Sequence, residues 1–466
     1  MTMTWIQEIR HIVGDEHVQT KQSSLLSYAY DATPNFNTKP EAVVAPASEQ
    51  EIKEIVTVCA NHQIPIVPRG SGTNLAAGTT PTQGGVVLLF HRMYRILELD
   101  EDNLTITVQP GVITGDICEA VEAKGLFYPP DPSSMKISTI GGNINENSGG
   151  LRGLKYGVTK DYVLGVNAVI ANGDVIRAGG KNVKDVAGYD LTSLFVGSEG
   201  TLGIITKATL KLVPLPESKQ TLLASFDSIE RAAETVSQVI ANKLTPATLE
   251  FIDRATIQAV EDYTHVGLPT DAEAVLLIEQ DGPPSICEHD IQLIQGIAIE
   301  HGAITTQIAE TEERAAELRE ARRSALSALA KRSPTTILED ATVPRSEIAT
   351  MVKAIEAIAL EHDVNIATFG HAGDGNLHPT CMTDLRDKDE WERVEAAFAA
   401  IFRKAIDLGG TITGEHGVGE MKSPYLAWKV GDEGIQLMNQ IKLAFDPEHI
   451  MNPGKIFHRS GGEVDE

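Results

Sequence analysis

PRGSGTNLAAG, residues 68–78, places a glycine-rich loop directly behind the apolar run IPIV (64–67). Three small residues in succession, Gly70, Ser71 and Gly72, allow backbone N–H groups to converge on an anion, as a nest does around a pyrophosphate. Two familiar loops of this kind do not fit. No Gly-Lys-Ser/Thr follows, which excludes a Walker loop, and the glycines do not match the GxGxxG that opens the helix of a dinucleotide fold. Ahead of the loop, SEQEIKEIVTVCA (48–60) combines a Ser48…Glu51 capping box with Ile52, Ile55, Val56, Cys59 and Ala60 on one helical face. The chain therefore begins as a β-α-β unit whose loop follows the second strand.

Downstream, VVLLF (86–90) and TITVQPG (105–111) read as strands, with a short helix near 115–123. The stretch 129–153, PPDPSSMKISTIGGNINENSGGLRG, is so rich in Gly, Ser and Asn that irregular structure wrapping a ligand is expected. A hairpin turns on Asn172-Gly173, and prolines at 214 and 216 close the region. STIGGNINENSGG (138–150) and GSEGTLGIIT (197–206) repeat the small-residue chemistry of the first loop. Each glycine costs folding entropy and packs no core, so three such loops point to one large phosphate-bearing cofactor threaded between them.

From 217 the pattern changes. Strands at 221–226, 247–252 and 274–280 and helices at 228–242 and 286–300 predict an α+β domain with an antiparallel sheet. A helix at 311–331, the strand TTILEDATV (335–343) and helices at 346–362 and 387–408 complete it. The expected division is 1–216, 217–420 and a C-terminal segment, 421–466, that packs back on the first domain.

The length of 466 residues implies more than one core, and a net charge of −26 with no basic stripe argues against nucleic acid as a partner. No run is apolar enough to span a membrane, and the N-terminus lacks a signal peptide, so a cytoplasmic location is expected. Four cysteines without CxxC spacing encode no iron–sulfur cluster, which leaves any one-electron relay to another chain.

The second domain carries a polar cluster, FGHAGDGNLHP (369–379), and GEHGVG (414–419). His371 and His378 flank a Gly-Asp-Gly-Asn turn. As a bare pair they could cap strands, whereas two histidines plus a glutamate are a known set for a catalytic cation with open positions. In ELREARRSALSALAKR (317–332), Arg319, Arg322 and Arg323 offer a carboxylate a fork of donors, or else form a solvated face paired with Glu317 and Glu320.

The six motifs PRGSGTNLAAG, PPDPSSMKISTIGGNINENSGGLRGLKYG, DLTSLFVGSEGTLGIIT, FGHAGDGNLHP, GEHGVG and NPGKIF occur in order over residues 20–458. Together they resemble the group of glycolate oxidase flavin subunits and D-lactate dehydrogenases within the vanillyl-alcohol-oxidase/PCMH-type FAD-linked oxidoreductases. The resemblance implies an α+β chain. It would have a two-subdomain PCMH-type FAD-binding domain, an antiparallel ferredoxin-like cap or substrate domain, and a helical tail returning to the FAD domain. FAD would be held by Pro68, Arg69, Gly70, Ser71, Gly72, Thr73 and Asn74. The second and third loops would add Gly141, Gly142, Asn143, Ser148, Gly149, Gly150, Tyr156, Glu199, Gly200 and Ile204. Relatives that attach flavin covalently use a histidine where this chain has Thr73, so the FAD is expected to be non-covalent.

The same resemblance assigns a divalent metal, Zn, Mn or Fe, to His371, His378 and Glu415, and proton abstraction to His416. Arg322 would clamp the substrate carboxylate, with Arg323 as the alternative and Asn376 beside the substrate; Asp374 would shape the turn. Relatives for 2-hydroxyglutarate carry an asparagine and a lysine where this chain has Thr380 and Leu338. Dicarboxylates are thereby disfavoured. The reading is a dehydrogenase of glycolate or D-lactate that passes electrons to a separate iron–sulfur subunit or another acceptor, and a homodimer is compatible with it. The alternatives are a metal-free flavoenzyme for another alcohol and a subunit that binds FAD only structurally.

Overall fold

The strands β1 (Val18–Gln19), β2 (Ala42–Val44), β3 (Ile66–Arg69) and β4 (Val86–Leu89) form a sheet in the order β1-β2-β4-β3. β4 runs parallel to β2 and β3, and β1 antiparallel to β2. A parallel sheet is covered on both faces, and the pleat shows how. Val86 and Leu88 join a core with Trp5, Ile9, Ile52 and Ile55, while Val87 and Leu89 join a second core with Leu25, Val43 and Val67. In this computed structural model, which describes residues 4–457, the chain divides into two units. The first comprises residues up to Ser148, Val158–Leu215 and the segment from Glu415 onward; the second comprises Gly149–Gly157 and Pro216–Gly414.

The helix Glu49–His62 links β2 to β3 in the first unit. Ser48 Oγ accepts from Glu51 N–H at 3.1 Å, and the Glu51 carboxylate takes the Ala47 N–H at 2.8 Å, one residue earlier than a strict capping box. Gln63, at φ 54°, ends the helix in the left-handed region.

A second, antiparallel sheet of this unit contains β5 (Ile96–Asp100), β6 (Thr105–Val108), β8 (Val163–Val169), β9 (Val175–Gly179) and β10 (Ile204–Lys211), ordered β5-β6-β10-β8-β9. β7 (Leu126–Phe127) and β11 (Val213–Pro214) form a separate pair. The C-terminal segment belongs to this unit. Met451 bridges Ile66 on β3, and buried Lys442 donates to the carbonyls of Thr201 (2.6 Å) and Met451 (2.8 Å) while pairing with Asp446.

The second unit holds β12 (Ser218–Phe226), β13 (Thr248–Asp253), β14 (Ala274–Gly282), β15 (Ala303–Ile308), β16 (Thr335–Leu338), β17 (Ala341–Thr342), β18 (Ile366–His371) and β19 (Asn376–Thr383). They make one antiparallel sheet, β15-β12-β14-β13-β18-β19-β16, with β17 beside β19. The helices Ile229–Ala241 and Pro284–Glu300 join β12 to β13 and β14 to β15.

Several expectations change. The stretch 129–153 is not irregular throughout, because Thr139 caps a helix, Ile140–Glu146, that Asn147 ends at φ 53°. Gly149, Gly150 and Tyr156 fall in the second unit, and the first unit resumes at Glu415, not 421. The helix expected at 311–331 is two, Glu312–Arg323 and Ala325–Leu329, and Arg254–Thr264 is a helix where none was read.

Candidate active site

Within the first unit, all three small-residue loops meet at one pocket, lined among others by Arg69, Gly70, Thr139, Gly141, Asn145 and Glu199. The glycines permit that convergence by close approach. A Cβ on Gly70 would sit 2.2 Å from Thr139 Oγ1, one on Gly141 2.7 Å from Pro110 Cβ, and one on Gly200 2.4 Å from Pro68 Cγ. The loops thus pack on one another with their backbones forming the wall, a cradle suited to a phosphate-bearing cofactor. Ser71 Oγ donates to the Ile137 carbonyl (2.5 Å), and Asn74 Oδ1 accepts from Ala76 and Gly78 N–H (2.8 and 2.6 Å). Arg69 is buried at this wall, and burial lowers its pKa against the opposing pull of Asp31.

Glu199 adopts φ 52° and Gly200 φ 71°. The Glu199 carboxylate accepts from Val418 and Gly419 N–H, each at 2.7 Å, and so holds the GEHGVG loop within this unit. Asn74 Nδ2 donates to the His416 carbonyl at 3.3 Å. Asn143 reaches Thr114, and Ile204 opens β10 in the core. The Ser148 carbonyl accepts from Thr159, and Thr73 lies midway along the first loop. Glu146 also lines the pocket, a residue that sequence reasoning passed over.

In the second unit, Gly149 and Gly150 lead into Tyr156, whose hydroxyl donates to Asp281 Oδ2 at 2.8 Å. β18 and β19 form the hairpin of the polar cluster, with His371 opposite Asn376 and Phe369 opposite His378. The two-residue period puts these four side chains on one face. The imidazole centroids of His371 and His378 lie 5.0 Å apart with perpendicular planes. Only Gly375, at φ 90°, needs a left-handed turn; Gly370 instead admits the Asn376 carbonyl, 2.4 Å from where its Cβ would be.

His371 Nδ1 lies 2.8 and 3.0 Å from the oxygens of Glu250, and Arg322 Nη2 lies 2.5 Å from the same carboxylate. Arg322 also stacks over Phe369 at 4.7 Å. Glu250 is fully buried, which alone would raise its pKa; Arg322 and then His371 outweigh that and hold it below the usual carboxylate range. Arg322 Nε is buried without an acceptor among the described residues, and Arg323 beside it is half-buried. Arg319 is engaged elsewhere, with Glu279 and Glu312.

Asn376 Oδ1 accepts from Thr342 Oγ1 at 2.9 Å, and Asp374 Oδ1 accepts from Asn376 N–H. Thr380 and Leu338, noticed separately in the sequence, are directly opposed across β19 and β16 and both buried. Gly414, the last residue of this unit, donates its N–H to Asp340 at 2.7 Å, and Glu415 follows one peptide bond on. All four cysteines are buried and none forms a disulfide among the described residues; burial pushes the Cys59 and Cys381 thiols up to about 12. No helix among the described residues is long and apolar enough to cross a membrane.

Residues 40–179 match a family model described as "FAD binding domain", and residues 215–456 one described as "FAD linked oxidases, C-terminal domain". The glycolate oxidase subunit GlcD of Bacillus subtilis (strain 168) is 65% identical over 97% of this chain and 96% of its own. The subunit of the same name from Escherichia coli (strain K12) is 36% identical, over 96% of this chain and 89% of its own. A D-lactate dehydrogenase of Anaerostipes hadrus is 35% identical over 90% of each. Among solved structures, p-cresol methylhydroxylase with substrate bound superposes with a TM-score of 0.80 at 18% identity, covering 99% of this chain and 97% of that one. That likeness speaks for the fold alone.

Proposed function

We propose, on the premise that this chain belongs to the FAD-linked oxidase family and is an FAD-linked oxidoreductase, that it oxidises glycolate or D-lactate to the 2-oxo acid. FAD, bound non-covalently at the three-loop pocket, supplies the two-electron acceptor, and a divalent cation supplies a Lewis acid for the substrate hydroxyl. His371, His378 and Glu415 are the ligands of that cation. The donor set fits it: two imidazoles converge on one face of a hairpin, and a carboxylate stands one residue beyond Gly414.

His416 takes the hydroxyl proton, a task suited to an imidazole near neutral pH. The substrate carboxylate goes to Arg322, whose buried Nε is left without an acceptor, with Arg323 next to it on the same helix. Asn376 borders the substrate and Asp374 shapes the turn. The second unit contributes a ferredoxin-like cap, a reading supported by the order β15-β12-β14-β13 with its two linking helices. Electrons leave to a separate iron–sulfur subunit, a reading supported by four scattered, buried cysteines and by relatives that are themselves called subunits.

The observation that carries the substrate reading is the opposed pair Leu338 and Thr380. Thr380 shares the face of His378 two residues on, and its partner Leu338 is apolar, so neither of the two offers a charge to a distal carboxylate. Anaerobic flavin reduction by glycolate, D-lactate and D-2-hydroxyglutarate tests the proposal. Bleaching by the first two only, lost after chelation and restored by Mn²⁺ or Zn²⁺, is the expected result, with Arg322→Ala raising the KM for glycolate strongly. Equal bleaching by all three acids, or rates indifferent to chelation, would overturn it.

A further inference from the structure

Glu250 takes no part in the chemistry proposed above, yet it is a fully buried acid in contact with it. It lies mid-strand in TLEFID, on β13, where Phe251 opposes Gly370 and Ile252 opposes Phe369. That register carries Glu250 to the position opposite His371, and both oxygens lie within 3.0 Å of Nδ1. Arg322 Nη2, 2.5 Å away on the other side, balances this carboxylate, and both of its oxygens are placed to accept from the ring. An Nδ1–H directed at Glu250 leaves Nε2 as the ring nitrogen that can serve as a ligand.

We infer that Glu250 is a positioning residue. It sets the tautomer and ring plane of His371 so that Nε2 is presented to a divalent cation, and Arg322 anchors it from the other side. The inference rests on the metal reading of His371 and His378. A buried carboxylate would be costly as mere filling, and Arg322 balances its charge without supplying a reason for the carboxylate to face an imidazole. Fixing a ligand's second ring nitrogen is such a reason, because it aligns the ring in advance and raises its basicity. The arrangement also ties two functions to one group, since the arginine proposed to hold the substrate carboxylate is set by the same Glu250.

The test is cation affinity of the FAD-loaded protein, read by competition with a chromophoric chelator for Mn²⁺ and Zn²⁺. Glu250→Gln alone strands the Arg322 charge and risks misfolding. The double variant Glu250→Gln/Arg322→Met removes both charges together and is the decisive comparison. It is expected to retain wild-type FAD occupancy while binding the cations about 10- to 100-fold more weakly, with Glu250→Asp intermediate. Wild-type cation affinity in the double variant would sink this inference alone and leave the metal reading standing. Absence of cation binding by the wild-type protein would overturn that reading and this inference with it.

Discussion

Glu146 and Glu199 end against the same glycine: a Cβ on Gly417 would lie 2.3 Å from Glu146 Oε2 and 3.0 Å from Glu199 Oε1. Glu199 is satisfied by two backbone N–H groups, whereas Glu146 Oε2 is buried without a partner among the described residues. Burial first, and then the Glu199 charge, push the Glu146 carboxyl well above its ordinary 4.5. A raised folded value means that the group's stabilising contribution is complete below about 4.5 and is lost as pH rises toward and through the folded value. Glu146→Gln removes that liability, so the variant should melt above wild type, by a margin that grows as pH rises above about 4.5. A margin independent of pH would show that Glu146 does not titrate in this way. Its importance was not readable in NINENSGG, because nothing local says that a second acid arrives from position 199. Glu250 was missed as well, although an acid at the centre of TLEFI breaks an otherwise apolar strand, a sign of a buried partner. The histidines stood out because they are close in sequence, and one hairpin suffices to bring them together.

Elements announced themselves where their period was long and their caps were local. The helices Glu49–His62, Ile229–Ala241 and Lys388–Asp407 each start at a Ser or Asp whose side chain accepts the N–H three residues on, and all three were legible. Ile140–Glu146 was hidden because two glycines in seven residues argue against a helix, and tertiary contact overrides that propensity. Thr139 is what starts it. Its Oγ1 accepts from Gly142 N–H at 3.3 Å and also lies under Gly70 of the first loop. Thr139→Ala should therefore cost about 1 kcal/mol of stability, as loss of a cap does, and weaken FAD retention on dilution, because the helix forms one wall of the pocket. Thr139→Ser keeps the oxygen and should restore both. If the alanine variant kept its flavin and its melting temperature, the cap would not be supporting the pocket.

At the scale of the whole chain, the first unit is discontinuous in sequence and the second is almost continuous. Motif order could not reveal this, since where a segment packs depends on distant partners: Met451 finds Ile66, and Asn452 donates to the carbonyls of Gly78 and Glu199 at 2.9 and 2.6 Å. Residues 1–215 alone would leave the β3 edge without Met451, and Glu199 without the N–H groups of Val418 and Gly419. Stranding a buried carboxylate and opening a sheet edge are both costly. Residues 216–414, by contrast, keep all eight strands of their sheet and lose only Gly149–Gly157, which removes Tyr156 from Asp281. Expressed separately, 216–414 should melt cooperatively by circular dichroism, whereas 1–215 should aggregate and bind no FAD. Joining 1–215 to 415–466 through a short Gly/Ser linker should recover solubility and flavin binding. A soluble, flavin-retaining 1–215 fragment would mean that the C-terminal segment decorates the first unit and is no part of its core.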